Sequence, residues 1–501
     1  MKQEFYGIDL GTTYSCIAMI DSDDLVQPIP NPAGSMVTPS AVYFDDNNKI
    51  LVGEPAKKHL ADKAENTVVF IKREMSNKDY NVTINGNTYN PVQISSFILK
   101  YLVDFANEKR KNDEGKAPIN DVVITVPAYF GNMERERTIE AGKMAGLNVI
   151  QLINEPTAAS ISYGRKMQAD KNLLVYDLGG GTFDISILEF RGGIVNTKAT
   201  CGDHHLGGVD WDTALAQLAL SKLNISFDIT QDDEKLTQDE KNKKYLILLE
   251  AEECKRSLTI AESGVMTFNY KGIQTVEISR EEFETATHSL MTRTMMLLEQ
   301  ALDDAQMTKN DIDEIILVGG SSRMPMVKKA VEKKLGMDAK ISDPDMAVAK
   351  GAALMASQAT KGYTNGGIQF GTDKGTRAYG VKATDISSKR ELCYNFIRRT
   401  DDLEIRREEN DFTTQVNGQT SIDFCFYENE SDELWKEIDP AEEIKGRGGE
   451  ISWGRPVPAG TPVKVIVERD KSGRVRVFAE CCGAKGEFEI VTPGCSSLAK
   501  Q

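Results

Sequence analysis

Histidine is nearly missing from this 501-residue chain: only His59, His204, His205 and His288 occur, which excludes a multi-histidine metal centre and any mechanism needing several histidine bases. Cysteine is sparse as well. Eight are present and none forms a CxxC pair, so neither a disulfide framework nor a zinc ribbon is indicated, and a reducing, cytoplasmic setting fits best. Cys481 and Cys482 are adjacent within an alternating stretch, where they read as ordinary half-buried residues without a role. Positive charge is short too: the formal balance is −16, which argues against broad binding to nucleic acid or an anionic membrane. Most of that acidic excess falls before residue 361. No apolar run approaches the ~18 residues of a membrane span, and the start MKQEFYGIDLG has no signal-peptide core. Chemistry here must rest on carboxylates, hydroxyls, lysine and backbone amides.

What is present is an α/β alternation up to about residue 360, with apolar strands such as VVITVPA at 122–128, LLVYDLGG at 173–180 and EIILVGG at 314–320. It lapses in a polar, glycine-rich stretch whose only aliphatic or phenylalanine side chains are Ile368 and Phe370. Beyond, the period becomes two: Ile422, Phe424 and Phe426 share one side of a strand, as do Val463, Val465 and Val467 before a turn at Asp470-Lys471-Ser472-Gly473. The expected organisation is an α/β domain over 1–359, a linker at 360–377, a small antiparallel β-sandwich over 378–492 and a tail at 493–501.

The α/β part contains a repeat. FYGIDLGTTYSCIAMID at 5–21 and LVYDLGGGTFDISILEF at 174–190 share one design: apolar strand, Asp-Leu-Gly, small or hydroxyl residues, second strand. Each reads as a hairpin whose glycines adopt positive φ and offer backbone N–H groups to an anion, with hydroxyls from Thr12, Thr13 and Thr182. Asp9 and Asp177 close the first strand of each. Facing one another across a phosphate chain, they would hold Mg²⁺ through its waters. NEPTAASISYG at 154–164 and DPDMAVAKGAALMA at 343–356 form a second pair, each expected to start a small-faced helix with proline in its first position. Two duplicated lobes, hinged by those helices, imply a cleft with a phosphate loop on either side. No Walker loop and no GxGxxG occurs, which disfavours P-loop and Rossmann binding. Glu252, Lys255, Arg256 and Thr259 would share one helix face, for which spacing alone favours solvation.

GIDLGTTYS, VVITVPAYF, INEPTAASISYG, VYDLGGGTFD, HLGGVDWD and LVGGSSRMPMV, in that order, resemble the ATPase domain of the seventy-kilodalton heat-shock (DnaK-like) chaperones across residues 3–358. The resemblance implies a two-lobed actin-like ATPase and an ATP/ADP and Mg²⁺ site, with K⁺ as a further cation. It assigns Asp9, Glu155 and Asp177 to magnesium and the attacking water, Lys72 to hydrolysis, and Thr182 to the catalytic group. Gly11, Thr12, Thr13, Tyr14, Gly179, Gly180 and Gly181 become phosphate loops, with Gly207 and Gly208 a further contact. Glu252, Lys255, Arg256 and Thr259 become the adenosine face, opposite Gly319, Gly320, Ser321, Arg323 and Asp345.

The C-terminal part resembles the family's peptide-binding sandwich more faintly. It implies a slow ATPase that binds unfolded or extended polypeptides, with a nucleotide-exchange factor and a J-domain protein as partners. Three departures stand out: a shortened segment between Arg73 and Pro91, no leucine-rich acid-flanked linker, and no helical lid after the sandwich, which predicts fast peptide release. Two other readings compete: a nucleotide-gated regulator of one dedicated partner, and an actin-like filament subunit.

Overall fold

The computed structural model describes residues 4–21, 25–110, 117–164, 169–361, 369–444 and 449–489. They fall into two compact units, Met1–Pro127 with Ala141–Phe370, and Ala128–Glu140 with Gly371–Gln501. No helix among the described residues is long and apolar enough to cross a membrane.

The first unit holds two mixed sheets of the same design. In one, β1 (Phe5–Asp9) forms an antiparallel hairpin with β2 (Tyr14–Ile20), while its other edge pairs in parallel with β3 (Asp121–Val126) and β3 with β4 (Asn148–Asn154). In the other, β5 (Lys171–Leu178) pairs antiparallel with β6 (Phe183–Arg191) and in parallel with β7 (Glu314–Val318). The sequence repeat is thus a repeat of topology, and Asp9 and Asp177 occupy equivalent strand ends. Both first strands are almost wholly buried, as expected of strands covered on both faces.

Helices α1 (Glu155–Gly164) and α2 (Ala347–Lys361) are the small-faced pair. Proline behaves differently from expectation: Pro156 is the second residue of α1, whereas Pro344 sits in the turn ahead of α2, whose helix begins only at Ala347. The small faces do meet. A Cβ on Gly351 would lie 1.8 Å from the Ala158 carbonyl oxygen, and one on Gly7 in β1 would lie 2.1 Å from the Ala353 nitrogen. Backbone cannot rotate aside as a side chain can, so Gly351→Ala is expected to push α1 from α2 at a cost of about 3 kcal/mol. Calorimetry should show it as a fall of about 4 °C in the melting temperature of the first unit.

The expected linker is not wholly a tether. Helix α2 runs on to Lys361, residues 362–368 lie outside the described residues, and Gln369–Phe370 pairs in parallel with the strand Ile194–Asp203 of the second sheet. Phe370 packs against the core that holds Leu173, Val175 and Val195. A single apolar side chain beside an open strand edge supplies the reason.

In the second unit the strands are antiparallel and burial alternates, most regularly in Pro462–Arg469 and Val475–Cys481. Val463, Val465, Val467, Val475 and Val477 meet Phe424, Phe426 and Trp453 in one core, which makes the sandwich. The strand expected to carry Ile422, Phe424 and Phe426 is broken. Gln419–Phe424 pairs with Gly449–Val457, whereas Phe426–Asn429 pairs with Ala378–Asp385. The break falls at Cys425, whose carbonyl accepts from the Lys382 N–H at 3.0 Å. The expected tail, 493–501, lies outside the described residues.

This unit also takes in residues 128–140, which were expected to belong to the α/β domain. The Asn132 N–H donates to the Tyr379 hydroxyl at 3.0 Å, and the Val475 N–H donates to Asn132 Oδ1 at 2.9 Å. Arg135 is buried and donates to the Phe130 and Ser472 carbonyls at 2.8 and 3.3 Å. Glu428, its side chain 20% exposed, stands 3.9 Å from Arg377. Burial and the neighbouring Glu134 push its carboxyl up to about 7, against Arg377 and Tyr379. A folded pKa above the unfolded one gives stability that is full below about 4.5 and lost as pH rises through about 7. Glu428→Gln should therefore melt higher than the parent at pH ~8, with the gain shrinking as the pH approaches ~5 in parallel thermal scans.

Candidate active site

The two hairpin turns close on each other within the first unit. A Cβ at Gly180 would lie 1.9 Å from Thr13 Oγ1, and one at Gly181 would lie 2.2 Å from Thr12 Cγ2. Gly11, Gly179, Gly180 and Gly181 are not among the positive-φ residues, so the sequence-based reason for them needs correcting. Their small size serves the approach of one loop to the other, not a left-handed turn. Gly319 is the exception, with φ +80 and a Cβ position 2.3 Å from the Leu178 carbonyl oxygen. The Gly179 loop is tied down on its far side by the Gly208 and Val209 N–H groups, which donate to the Gly179 and Gly180 carbonyls at 3.0 and 2.7 Å.

Between the loops lies a cavity of about 1060 Å³. Every candidate residue from the sequence lines it except Gly181 and Gly207, which form the layer beneath: the Cβ position of Gly207 is 2.4 Å from the Gly181 carbonyl carbon. The floor is formed by Asp9, Lys72, Glu155 and Asp177. Lys72 is buried and ion-paired to Glu155, and the Thr125 hydroxyl donates to Asp9 at 3.1 Å. Burial, then Glu155, pushes the Asp9 carboxyl up to about 7 against the pull of Lys72. Burial, Glu155 and Asp9 likewise raise Asp177 well above the carboxylate range. Three carboxylates around one ammonium call for more positive charge.

The side walls carry the other predicted groups. On the helix Gln238–Ile260, Lys255 is buried rather than solvated: it pairs with Asp212 at 2.7 Å and donates to the Gly208 carbonyl at 2.9 Å. Burial pushes Asp212 up to about 6 despite that lysine. Glu252 meets Lys57 and Arg256, each at 2.6 Å, and accepts from the Tyr14 hydroxyl at 3.1 Å. Burial would raise its pKa, but those two cations outweigh it and hold the carboxyl below its usual value. Opposite, Arg323 pairs with Asp345 at 2.5 Å, and the Ser321 hydroxyl donates to the Gly179 carbonyl at 2.9 Å.

Several contributors were not singled out from sequence. Arg73, next to Lys72, donates to the Gly181 carbonyl at 2.7 and 2.9 Å and pairs with Asp210 at 2.6 Å. Ser40 donates to the Gly11 carbonyl through its hydroxyl at 2.7 Å, and its N–H donates to the Thr13 carbonyl at 2.8 Å. Arg73 had one available signal, its place in FIKRE beside Lys72; Ser40 and Lys57 had none.

The cavity fits a phosphate chain with its cation. Thr12 Oγ1 is buried without a hydrogen-bond partner, and the raised Asp9 and Asp177 carboxyls mark a floor short of positive charge. Among the described residues no three His, Cys, Asp or Glu side chains converge as direct metal ligands.

Two duplicated lobes around a cleft roomy enough for a whole nucleotide, followed by a β-sandwich, define the class: an actin-like ATPase with an appended sandwich domain. The family model described as Hsp70 protein matches residues 5–83 and 74–500. The Chaperone protein DnaK of Thermotoga petrophila is 37% identical over 517 residues, covering 100% of this chain and 82% of that protein. Its namesake from Thermosipho africanus is 36% identical over 516 residues, covering 100% and 81%. The chain belongs to the Hsp70 family, whose members are ATPases that use ATP and ADP with Mg²⁺.

Proposed function

We propose that this chain is an ATP-dependent chaperone whose first unit hydrolyses ATP and whose second unit holds an extended segment of unfolded polypeptide. The observation that carries the ATPase half is the floor of the cleft, where Lys72 and three carboxylates lie between two loops in contact. In this reading Asp9 and Asp177 would hold through waters a Mg²⁺ ion, which would supply positive charge beside the phosphates. Glu155, Asp177 and Thr182 orient the attacking water. Lys72 presents its ammonium to the γ-phosphate, so catalysis is positioning and electrostatics, and turnover is slow. Backbone amides of Thr12 to Tyr14, Gly180 and Gly181, with the Thr12 hydroxyl, take the phosphate oxygens, while the Gly11 and Gly179 N–H groups donate to Ser15 Oγ at 3.2 Å and the Thr182 carbonyl at 3.0 Å and so shape the two loops. Glu252, Lys255, Arg256 and Thr259 face Gly319 to Ser321, Arg323 and Asp345 across the adenosine, with Gly207 and Gly208 behind the phosphates. A K⁺ ion beside the phosphates is the finer part of this reading, and comparing hydrolysis in K⁺ and Na⁺ buffers tests it.

For the sandwich, the support is chemical. Ile386 is 83% exposed and Val416 59% exposed, on the loops that follow Ala378–Asp385 and Ile405–Thr413. Gln415, on the second loop, donates to the hydroxyl of Thr384 near the end of the first strand at 2.9 Å. Apolar tips beside strand edges suit an extended apolar peptide. Relatives named as chaperones favour this over a one-partner regulator or a filament subunit. A cytoplasmic setting, an exchange factor and a J-domain protein complete the reading. The deciding measurement is peptide affinity with ATP, with ADP and without nucleotide, set against a chain ending at Ala359. State-dependent binding lost with the sandwich supports the proposal; equally poor binding in every state, with one native partner co-purifying, overturns it.

A further inference from the structure

Cys481 ends the strand Val475–Cys481, and Ala484 opens the next, Ala484–Glu489, so Cys482 and Gly483 alone make the turn. Both have positive φ, 54° and 86°, the pattern of a tight type I′ hairpin. Glycine, asparagine or aspartate normally fills the first of these positions. A cysteine there is strained, by about 1–2 kcal/mol, and strain of that kind points to a use. The conformation has a second consequence. Neighbouring side chains on an extended strand point to opposite faces, yet the left-handed twist at Cys482 brings its sulfur to 3.7 Å from that of Cys481. One sulfur faces the sandwich core, with Cys481 only 2% exposed, and the other faces solvent.

We propose that Cys481 and Cys482 are a redox modification site, closing under peroxide to a disulfide between sequence neighbours and reopening with a thiol reductant. The exposed Cys482 sulfur attacks one peroxide oxygen; the O–O bond breaks, one oxygen leaves as water, and Cys482 becomes a sulfenic acid. Cys481 sulfur then attacks Cys482 sulfur, the S–O bond breaks, and the hydroxyl leaves as a second water with the Cys481 proton. Two thiols lose two electrons in all, and one peroxide is reduced to two waters. The order follows from exposure. Burial, and then the hydrogen bond to Cys482, push the Cys481 thiol up to about 11, so it is protected from direct attack.

Adjacent Cα atoms are ~3.8 Å apart across a trans peptide, below the usual ~4.4–6.8 Å span of a disulfide. The closed ring is therefore strained and easily reduced, as befits a switch rather than a staple. It also deforms the two-residue turn that sets the pairing of Cys481 with Ala484, and Ala484–Glu489 is an edge strand.

The test uses the full chain. After peroxide at neutral pH, denaturation, alkylation and trypsin, the peptide Val477–Lys485 contains these two cysteines and no other. The expected peptide is unlabelled and lighter by two hydrogens, and dithiothreitol returns it to the doubly labelled form. In Cys482→Ser, an exposed and conservative change, Cys481 should stay fully labelled after peroxide. As an independent probe, phenylarsine oxide added to the reduced chain should protect both thiols from alkylation, and lose that protection in Cys482→Ser. Sulfinic or sulfonic acid at Cys482 beside a labelled Cys481, a link to another chain, or both thiols labelled after either reagent overturns the proposal.

Discussion

Replacing Lys72 by alanine is expected to lower ATP turnover by about 10²–10³-fold while ADP affinity changes by only a few-fold. Lys72 is buried at the floor of the cleft, paired to Glu155, and it is the cation that pulls on Asp9 and Asp177. In the proposed mechanism this ammonium faces the negative charge that spreads over the γ-phosphoryl oxygens during hydrolysis, whereas the groups proposed for adenosine stand on the helix Gln238–Ile260 and beyond Val318. The loss thus falls on the chemical step. Arginine should not restore it, because a planar guanidinium is wider than the ammonium it would replace in a buried position. Single-turnover hydrolysis with excess enzyme, paired with calorimetric titration of ADP, separates the two effects. Unchanged single-turnover rates would remove Lys72 from the mechanism, and an equal loss of ADP affinity would make it a binding group.

Legibility in the sequence followed the range of the interaction. The hairpins carrying Asp9 and Asp177 were readable because strand, turn and strand lie within about twenty residues, and so was the Val463 to Val467 alternation, whose period is local. Residue types in the loops were also readable, but the reason for the glycines was not. Gly180 needs to be small because of Thr13, a neighbour 167 positions away, and no spacing within either hairpin encodes that approach. The same holds for Lys255. Its face looked solvated because Asp212 and the Gly208 carbonyl, which bury it, come from a different element. The polar packing of Asn132 and Arg135 with Tyr379, Ser472 and Val475 was invisible for a further reason: a segment flanked on both sides by the α/β pattern groups with the sandwich. Cys425 broke a strand that alternation alone continued, since residues on either side of it could pair with two different strands.

Gly180→Ala is expected to weaken nucleotide binding by about 10²-fold, and the partner residue makes the cause testable. The new methyl would sit 1.9 Å from Thr13 Oγ1, 2.7 Å from its Cγ2 and 2.8 Å from its Cβ. Rotating the threonine moves the first two but leaves the Cβ, so the loops themselves must part. Gly180 is not in the left-handed region, and alanine therefore costs little as backbone. Loops moved apart cannot both reach the phosphates, and losing two charge-assisted hydrogen bonds of about 1.5 kcal/mol each accounts for the expected factor. Thr13→Gly removes all three colliding atoms. Its own cost is the lost hydroxyl, but in that background Gly180→Ala should be nearly neutral, giving a coupling energy of about 2 kcal/mol or more in a double-mutant cycle. Fluorescent-nucleotide affinities for the four proteins read it directly. A Gly180→Ala penalty of the same size with and without Thr13 would show that the two loops do not limit each other, and the closed pair of phosphate loops would then not be the reason for glycine at this position.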